Sequence, residues 1–193
     1  MPKLTILVSG FARSGKNHTS DLLTTELASL GYSVTQEAFA TPMKRIIATT
    51  LGITTDELEN LKDEPNLYNF GFATPTRVIR TDFRQILQKF GSEAMKPIFG
   101  TNVWGELMLT KLHNSQSDIV IITDYRFDTE YNYITDHLPT LHIHISSATI
   151  SNHSTHASEQ LPTHKPNFTI DNTTKSDLSP QITDLATKIK ELL

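Results

Sequence analysis

Apolar residues fall into short runs separated by periodic stretches. Leu4, Ile6, Leu7 and Val8 make an apolar run over 4–8 that breaks at Ser9-Gly10, the pattern of a buried strand entering a tight turn. Leu22, Leu23, Leu27 and Leu30 then recur at helical spacing, and Gly31 supplies the stop. A second strand is expected over 33–39. Pro42 suits the first turn of a helix carrying Met43, Ile46 and Ile47 on one side, and 56–61 reads as another short helix. Pro65, Asn66, Asn69, Gly71 and Pro75 mark 63–75 as a surface loop.

The spacing of Val78, Ile79, Phe83, Ile86, Leu87 and Phe90 predicts a helix over 78–90 with Gly91 just past its end; a further helix is expected over 103–112. Ile119–Ile122 is a continuous apolar strand of the parallel-sheet kind and ends in Thr123-Asp124. The stretch 141–145 alternates apolar residues with His142 and His144, so one face of that strand differs from the other. Residues 147–166 are Ser, Thr, Asn, His and Pro with little apolar content, and read as a flap. A last strand at 168–170 precedes a helix with Ser179 as N-cap, Pro180 at its first position, and Ile182, Leu185, Ile189 and Leu192 on its apolar side. Strands alternating with helices predict an α/β protein, a three-layer sandwich around a mostly parallel central sheet. With no repeat and no linker, a single domain over 1–193 is expected.

Composition narrows the function classes. The 193 residues carry 17 Lys+Arg against 21 Asp+Glu, a formal net charge of −4, and are 37% hydrophobic; that is too apolar for a disordered chain and a poor match to bulk-charge binding of nucleic-acid polymers. The absence of cysteine excludes disulfides, thiolate zinc sites and a Cys nucleophile. No signal-peptide pattern and no membrane-length apolar run is present, so a cytoplasmic protein without membrane partners is expected. The six arginines are Arg13, Arg45, Arg77, Arg80, Arg84 and Arg126. Any guanidinium used on an anion therefore comes from the first two thirds of the chain.

The strongest chemical signal is Gly10-Phe11-Ala12-Arg13-Ser14-Gly15-Lys16-Asn17 between a buried strand and a helix. In that context backbone amides and a helix N-terminus can cradle phosphate oxygens while the lysine reaches the outer phosphates: a P-loop. Gly10, Arg13, Ser14, Gly15, Lys16, Asn17 and His18 are the candidate nucleotide-binding residues. Asn17 stands where Ser or Thr usually ligates magnesium, and its amide oxygen is a weaker hard ligand; Thr19 is a spare hydroxyl nearby. Asp124, at the carboxyl end of an apolar strand, is placed to hold Mg²⁺ through water or to orient a substrate hydroxyl, with Arg126 able to clamp an anion at the same edge. An Asp-Arg pair capping the next helix is the plainer alternative. Arg84 and Gln88 share a helix face that could hold a phosphate and read a base edge, or be merely solvated. Trp104 could stack on a base, or sit in the core or a domain seam. Arg77 and Arg80 read as surface charges. His142, His144, His153, His156 and His164 could gather a metal but lack metalloenzyme spacing, and read as polar surface or flap residues.

Taken in order, these segments resemble the bacteriophage deoxynucleoside monophosphate kinases. The resemblance rests on 9–16 with Phe39-Ala40-Thr41-Pro42-Met43-Lys44, on Arg84-Gln85-Ile86-Leu87-Gln88-Lys89-Phe90-Gly91-Ser92-Glu93 followed by Trp104, on Asp124-Tyr125-Arg126-Phe127 with Glu130, and on Phe168-Thr169-Ile170-Asp171-Asn172 before the final helix. It implies a P-loop kinase fold and transfer of the γ-phosphoryl of ATP, with Mg²⁺, to a deoxynucleoside 5′-monophosphate. Lys16 and the loop amides would hold the donor; Lys16, Arg84, Asp124 and Arg126 would form the catalytic set. Arg84, Gln88, Trp104, Asp124, Arg126 and Glu130 would bind the acceptor. Partners would be small nucleotides, a homodimer is left open, and the location would be the host cytoplasm if the chain is phage-encoded. Two departures stand out: Asn17 replaces the family's usual Asp, with Asn17 and Asp124 the metal candidates, and Lys96 stands where arginine is frequent.

Phosphoryl transfer asks for positioning and charge compensation. With Lys165 the one fixed cation in 147–166, compensation is expected from Lys16, Arg13, Arg84 and Arg126, and the flap is expected to exclude water. Two other readings are a P-loop kinase of another small metabolite and an ATP-binding regulatory module without transfer activity.

Overall fold

The computed structural model describes residues 1–61, 83–148, 161–174 and 177–193, which group into two compact units, Met1–Phe39 with Trp104–Leu193, and Ala40–Val103. The loop expected at 63–75, Arg77, Val78, Ile79, Arg80, and residues 149–160 of the expected flap, with His153 and His156, lie outside the described residues.

The first unit is built on a five-stranded sheet, β1 (Leu4–Ser9), β2 (Val34–Glu37), β3 (Ile119–Ile122), β4 (Thr140–Ser146) and β5 (Phe168–Asp171), in the order β2-β3-β1-β4-β5. Every pairing is parallel. Parallel strands need helical crossovers that cover both sheet faces. Accordingly, all of β1 and β3 is buried, including Thr5.

One face carries Leu4, Ile6, Val8, Ile119, Ile121, Ile143, Ile145 and Ile170. They pack against Leu23 and Leu27 of α1 (Lys16–Ser29) and against Ile182, Leu185, Ala186 and Ile189 of α8 (Ser179–Leu192). Burying each such side chain is worth about 1.5–3 kcal/mol. The other face carries Leu7, Val120, Ile122 and His142, all buried. On that side α6 (Val103–His113) and α7 (Asp128–Thr135) contribute buried Met108, Leu109, Leu112 and Ile134. The architecture is thus the expected α/β sandwich.

The second unit comprises α2 (Thr41–Leu51), α3 (Thr55–Leu61), α4 (Phe83–Gln88), a π-helical turn over Lys89–Met95 and α5 (Lys96–Phe99). Its core joins Ile47, Ala48, Leu58 and Phe83, with Met43, Leu51, Ile53, Ile86, Leu87 and Phe90 packed around them. Ile46 departs from the sequence reading: it is 43% exposed, because the buried stripe of α2 runs through Met43, Ile47 and Ala48. Gly52 ends α2 at φ 70°, with the Ile53 amide reaching back to the Ala48 carbonyl at 3.0 Å, a Schellman closure.

Two boundaries differ from expectation. Gly91 does not stop its helix; the chain widens into the π-helical turn, where a Cβ on Gly91 would lie 2.8 Å from Met43 Sδ. The glycine serves close packing instead. At the C-terminal helix, Leu178 is the N-cap residue and Ser179 already begins the helix. Asp177 accepts from the Ser179 amide and hydroxyl at 2.9 and 2.7 Å.

Helix α6 meets α7 at Gly105, where a Cβ would lie 2.9 Å from Tyr133 ring atoms and 3.0 Å from its Cβ. The tyrosine Cβ cannot swing away. Gly105→Ala should therefore destabilise by about 1–2 kcal/mol through overpacking, against the helix preference for alanine. The urea midpoint, read at unchanged m-value, checks this.

Candidate functional site

Among the described residues, positive φ is most concentrated between β1 and α1. Gly10, Arg13 and Gly15 have φ of 150°, 62° and 93°. A Cβ on Gly10 would lie 2.6 Å from Ser14 Oγ and 2.7 Å from the Ile145 carbonyl, and one on Gly15 would lie 2.5 Å from Asn172 Nδ2. Both positions therefore require glycine by space as well as by conformation. Arg13 has a Cβ and sits in the left-handed region, a strain of about 1–2 kcal/mol of the kind found where a loop is shaped for a ligand.

Lys16 folds its ammonium back across this turn, donating to the carbonyls of Gly10 at 2.8 Å and Phe11 at 2.7 Å. Asn172, just past β5, donates from Nδ2 to the Ser14 carbonyl at 2.9 Å, while its own amide bonds Ser146 at 3.0 Å. Asn172 was assigned no role by the sequence reading, although it lies in a segment that carried the resemblance. Among the described residues no side chain caps the start of α1, and its first turn holds no acidic residue. By contrast α3 begins with a reciprocal capping box between Thr54 and Glu57. The α1 N-terminus thus keeps its dipole directed at the turn. Ser14 Oγ and Thr19 Oγ1 are buried beside it without a hydrogen-bond partner; Arg13, Asn17 and His18 are exposed.

Asp124 follows β3, two residues beyond the Leu7–Ile122 pairing, so it reaches the same carboxyl edge of the sheet as Ser9 and the turn. Its Oδ1 accepts the Phe39 amide at 2.7 Å, tying down the chain that leaves β2. At the start of α7 the N-cap residue is Phe127, and Glu130 three residues on accepts the amides of both Arg126 and Phe127 on Oε2 at 3.0 Å. Glu130, expected from the resemblance at the acceptor, is buried in that cap. Trp104 is buried at the start of α6. Arg84 and Gln88 lie one helical turn apart on α4 of the second unit, both half-buried. Within the first unit, the turn that follows β1 and Asp124 after β3 thus lie at the same edge of the sheet, with Arg126 two residues further along the chain.

The histidines of β4 correct the sequence reading. His142 is 2% exposed rather than on a polar surface, because Tyr125 and Tyr131 cover it, with ring centroids 5.1 and 6.0 Å away. Its Nε2 pairs with Ser9 Oγ at 2.7 Å, and the same hydroxyl pairs with His144 Nδ1 at 3.1 Å. Tyr131 stacks on His164 at 4.1 Å, and Asp128 accepts the Thr163 amide and hydroxyl at 2.9 and 2.6 Å. Burial, with His144 and His164 nearby and Asp128 opposing, pushes His142 down to about 4. Burial and the Lys16 charge also lower His144. Burial, then Asp128 and Glu130, raises the Tyr125 phenol. Among the described residues no three His, Asp or Glu gather as a metal site, and no helix is long and apolar enough to cross a membrane.

No protein-family model matches the chain, and no curated protein matches it. Among solved structures, a mutant of the Mycobacterium tuberculosis APS kinase CysC is similar at 12% identity and TM-score 0.51, covering 98% of this chain and 99% of that one. The same kinase in complex with AMPPNP and APS aligns at 10% identity and TM-score 0.49, over 98% and 99%. What the first of these shares with this chain is the fold, that of the P-loop kinases.

A histidine held neutral by burial destabilises the native state on acidification, since the unfolded chain takes up the proton first. Stability from His142 is complete above its ordinary value near 6.5 and is lost as pH falls toward about 4. His142→Gln should shrink the stability difference between pH 7 and pH 5 by up to about 2 kcal/mol. Urea unfolding at both pH values checks this; an unchanged difference would mean the imidazole titrates normally. Separately, Asn172→Ala should cost about 1 kcal/mol by leaving the Ser14 carbonyl without its donor, read by the same titration at pH 7.

Proposed function

We propose that this chain is a kinase that transfers the γ-phosphoryl group of ATP to a deoxynucleoside 5′-monophosphate, giving the diphosphate and ADP. The observation that carries the kinase part is the Lys16 ammonium held across a turn of left-handed backbone between β1 and α1. The acceptor class rests on the resemblance carried by the segments at 84–93, 124–127 and 168–172.

In this reading the amides of 10–16 and the α1 N-terminus bind the donor phosphates, and Lys16 neutralises their outer oxygens. An oxygen of the acceptor phosphate attacks the γ-phosphorus as the bond to the β-γ bridging oxygen breaks, and ADP leaves with that electron pair. The acceptor oxygen is already anionic near neutral pH, so no strong base is needed. Lys16, Arg13, Arg126 and Arg84 offset the charge spread over the transferred group. Glu130 fixes the turn that aims Arg126. Asp124 orients rather than abstracts a proton.

Magnesium fits the residues present. One carboxylate at Asp124 and one amide oxygen at Asn17 are too few for an all-protein cage but suit a cation that keeps water and phosphate oxygens. Those two residues would hold it, and it would neutralise phosphate charge when bound.

A second reading, a kinase of another small anionic metabolite, draws on the APS kinase match in fold. Coupled ADP-release assays over the four deoxynucleoside monophosphates, their ribonucleotide counterparts and adenosine 5′-phosphosulfate separate the two. Lys16→Ala should lower turnover about 100- to 1,000-fold; undiminished turnover would overturn the kinase assignment. Arg84→Ala should raise the acceptor KM or lower turnover, and no change in either would remove Arg84 from the site.

A further inference from the structure

The Ser9 hydroxyl has one hydrogen and two imidazole partners, and this stoichiometry restricts what His144 can present. Both rings cannot accept from Ser9, so at least one donates to it. If both donated, the hydrogen of the buried Ser9 hydroxyl would have no acceptor among the described residues. Two directed chains remain. In one, Ser9 donates to His142 Nε2, which puts the His142 proton on Nδ1. That nitrogen is buried without a partner, and a buried orphan N–H is the costlier kind of unsatisfied group. In the other, His142 Nε2–H donates to Ser9, Ser9 donates to His144 Nδ1, and only a bare ring nitrogen of His142 is left unpaired. The second chain is favoured, and it places the His144 proton on Nε2, the ring edge away from Ser9.

His144 itself stands beside the phosphate turn. His144 is in register with Ser9 on the neighbouring strand, Gly10 follows Ser9, and the Ile145 carbonyl lies where a side chain on Gly10 would begin. His144 is half-buried and close enough to Lys16 to feel its charge. Building on the nucleotide-binding reading above, we infer that His144 donates a hydrogen bond from Nε2 to the bound phosphate chain, with Ser9 and His142 acting as positioning residues that fix its tautomer. A neutral ring supplies a directional donor beside Lys16 without setting a second full positive charge against that ammonium. The buried Ser9 and His142, otherwise an unprofitable polar insertion between two apolar strands, acquire a reason.

Calorimetric titration with AMPPNP and with inorganic tripolyphosphate tests this. His144→Leu should weaken both about tenfold to a hundredfold, the size of one hydrogen bond to a charged group. His144→Gln, whose amide nitrogen can stand near the Nε2 position, should recover most of that loss. Long-range ¹H–¹⁵N correlation spectra of the wild-type protein at pH 7 should show both His142 and His144 neutral with the proton on Nε2, and Ser9→Ala should release His144 to a mixture of tautomers. Wild-type-like binding by His144→Leu, or a His144 proton on Nδ1, overturns the inference while leaving the kinase reading intact. If the wild-type protein binds neither probe, the kinase reading falls and this inference with it.

Discussion

Everything proposed for this chain depends on a backbone turn that can be held in a conformation few residues tolerate. Gly10, Arg13 and Gly15 all have positive φ within six residues, and an isolated segment of that kind would relax. It is held from three sides: β1 is buried along its whole length, Asn172 grips the Ser14 carbonyl, and the Lys16 ammonium bridges two carbonyls of the turn itself. The chain as a whole carries −4. The positive potential that the proposed phosphate binding would need is therefore local, from one ammonium and a helix N-terminus rather than from net charge.

What the sequence made legible was periodicity and conformation. The strands at 4–8 and Ile119–Ile122 could be read because a sheet covered on both faces needs unbroken apolar runs. The turn could be read because two glycines and a lysine flanked by strand and helix have few other uses. Packing was harder to read. Gly91 was taken as a stop because glycine often ends helices, yet here it admits Met43 against a π-helical turn. Nothing local distinguishes those two uses. Spacing alone puts Ile46 and Ile47 on one side of α2 with Met43, and only the partner surface decides which of them turns inward.

The histidines of β4 show the same limit more sharply. Alternation told that His142 and His144 share a face, but it could not tell whether that face was covered. The cover comes from Tyr125 and from Tyr131 on α7, a helix the sequence reading did not delineate. Burying an imidazole costs free energy unless its nitrogens are paired, and Ser9 supplies one pairing where an aliphatic residue would have continued the pattern of β1. Asn172 was missed for a related reason. A lone asparagine after a strand carries no chemical signature until the carbonyl it bonds is known.

The acidic residues at the sheet edge divide into two kinds of work, and the division follows from what each accepts. Glu130 takes two successive amides, Arg126 and Phe127, so it sets the direction in which the chain leaves the sheet toward α7. Asp124 takes an amide from a different segment, Phe39, and so joins the ends of two neighbouring strands. Both are charge-assisted bonds, roughly twice the strength of neutral ones. Between them they leave the 124–127 turn little freedom, and Arg126 starts from a fixed backbone. In the proposed phosphoryl transfer, whose catalysis would be chiefly placement of charge, that rigidity would matter more than the acidity of either group, because a guanidinium displaced by an ångström would forfeit much of its effect on the transferred group.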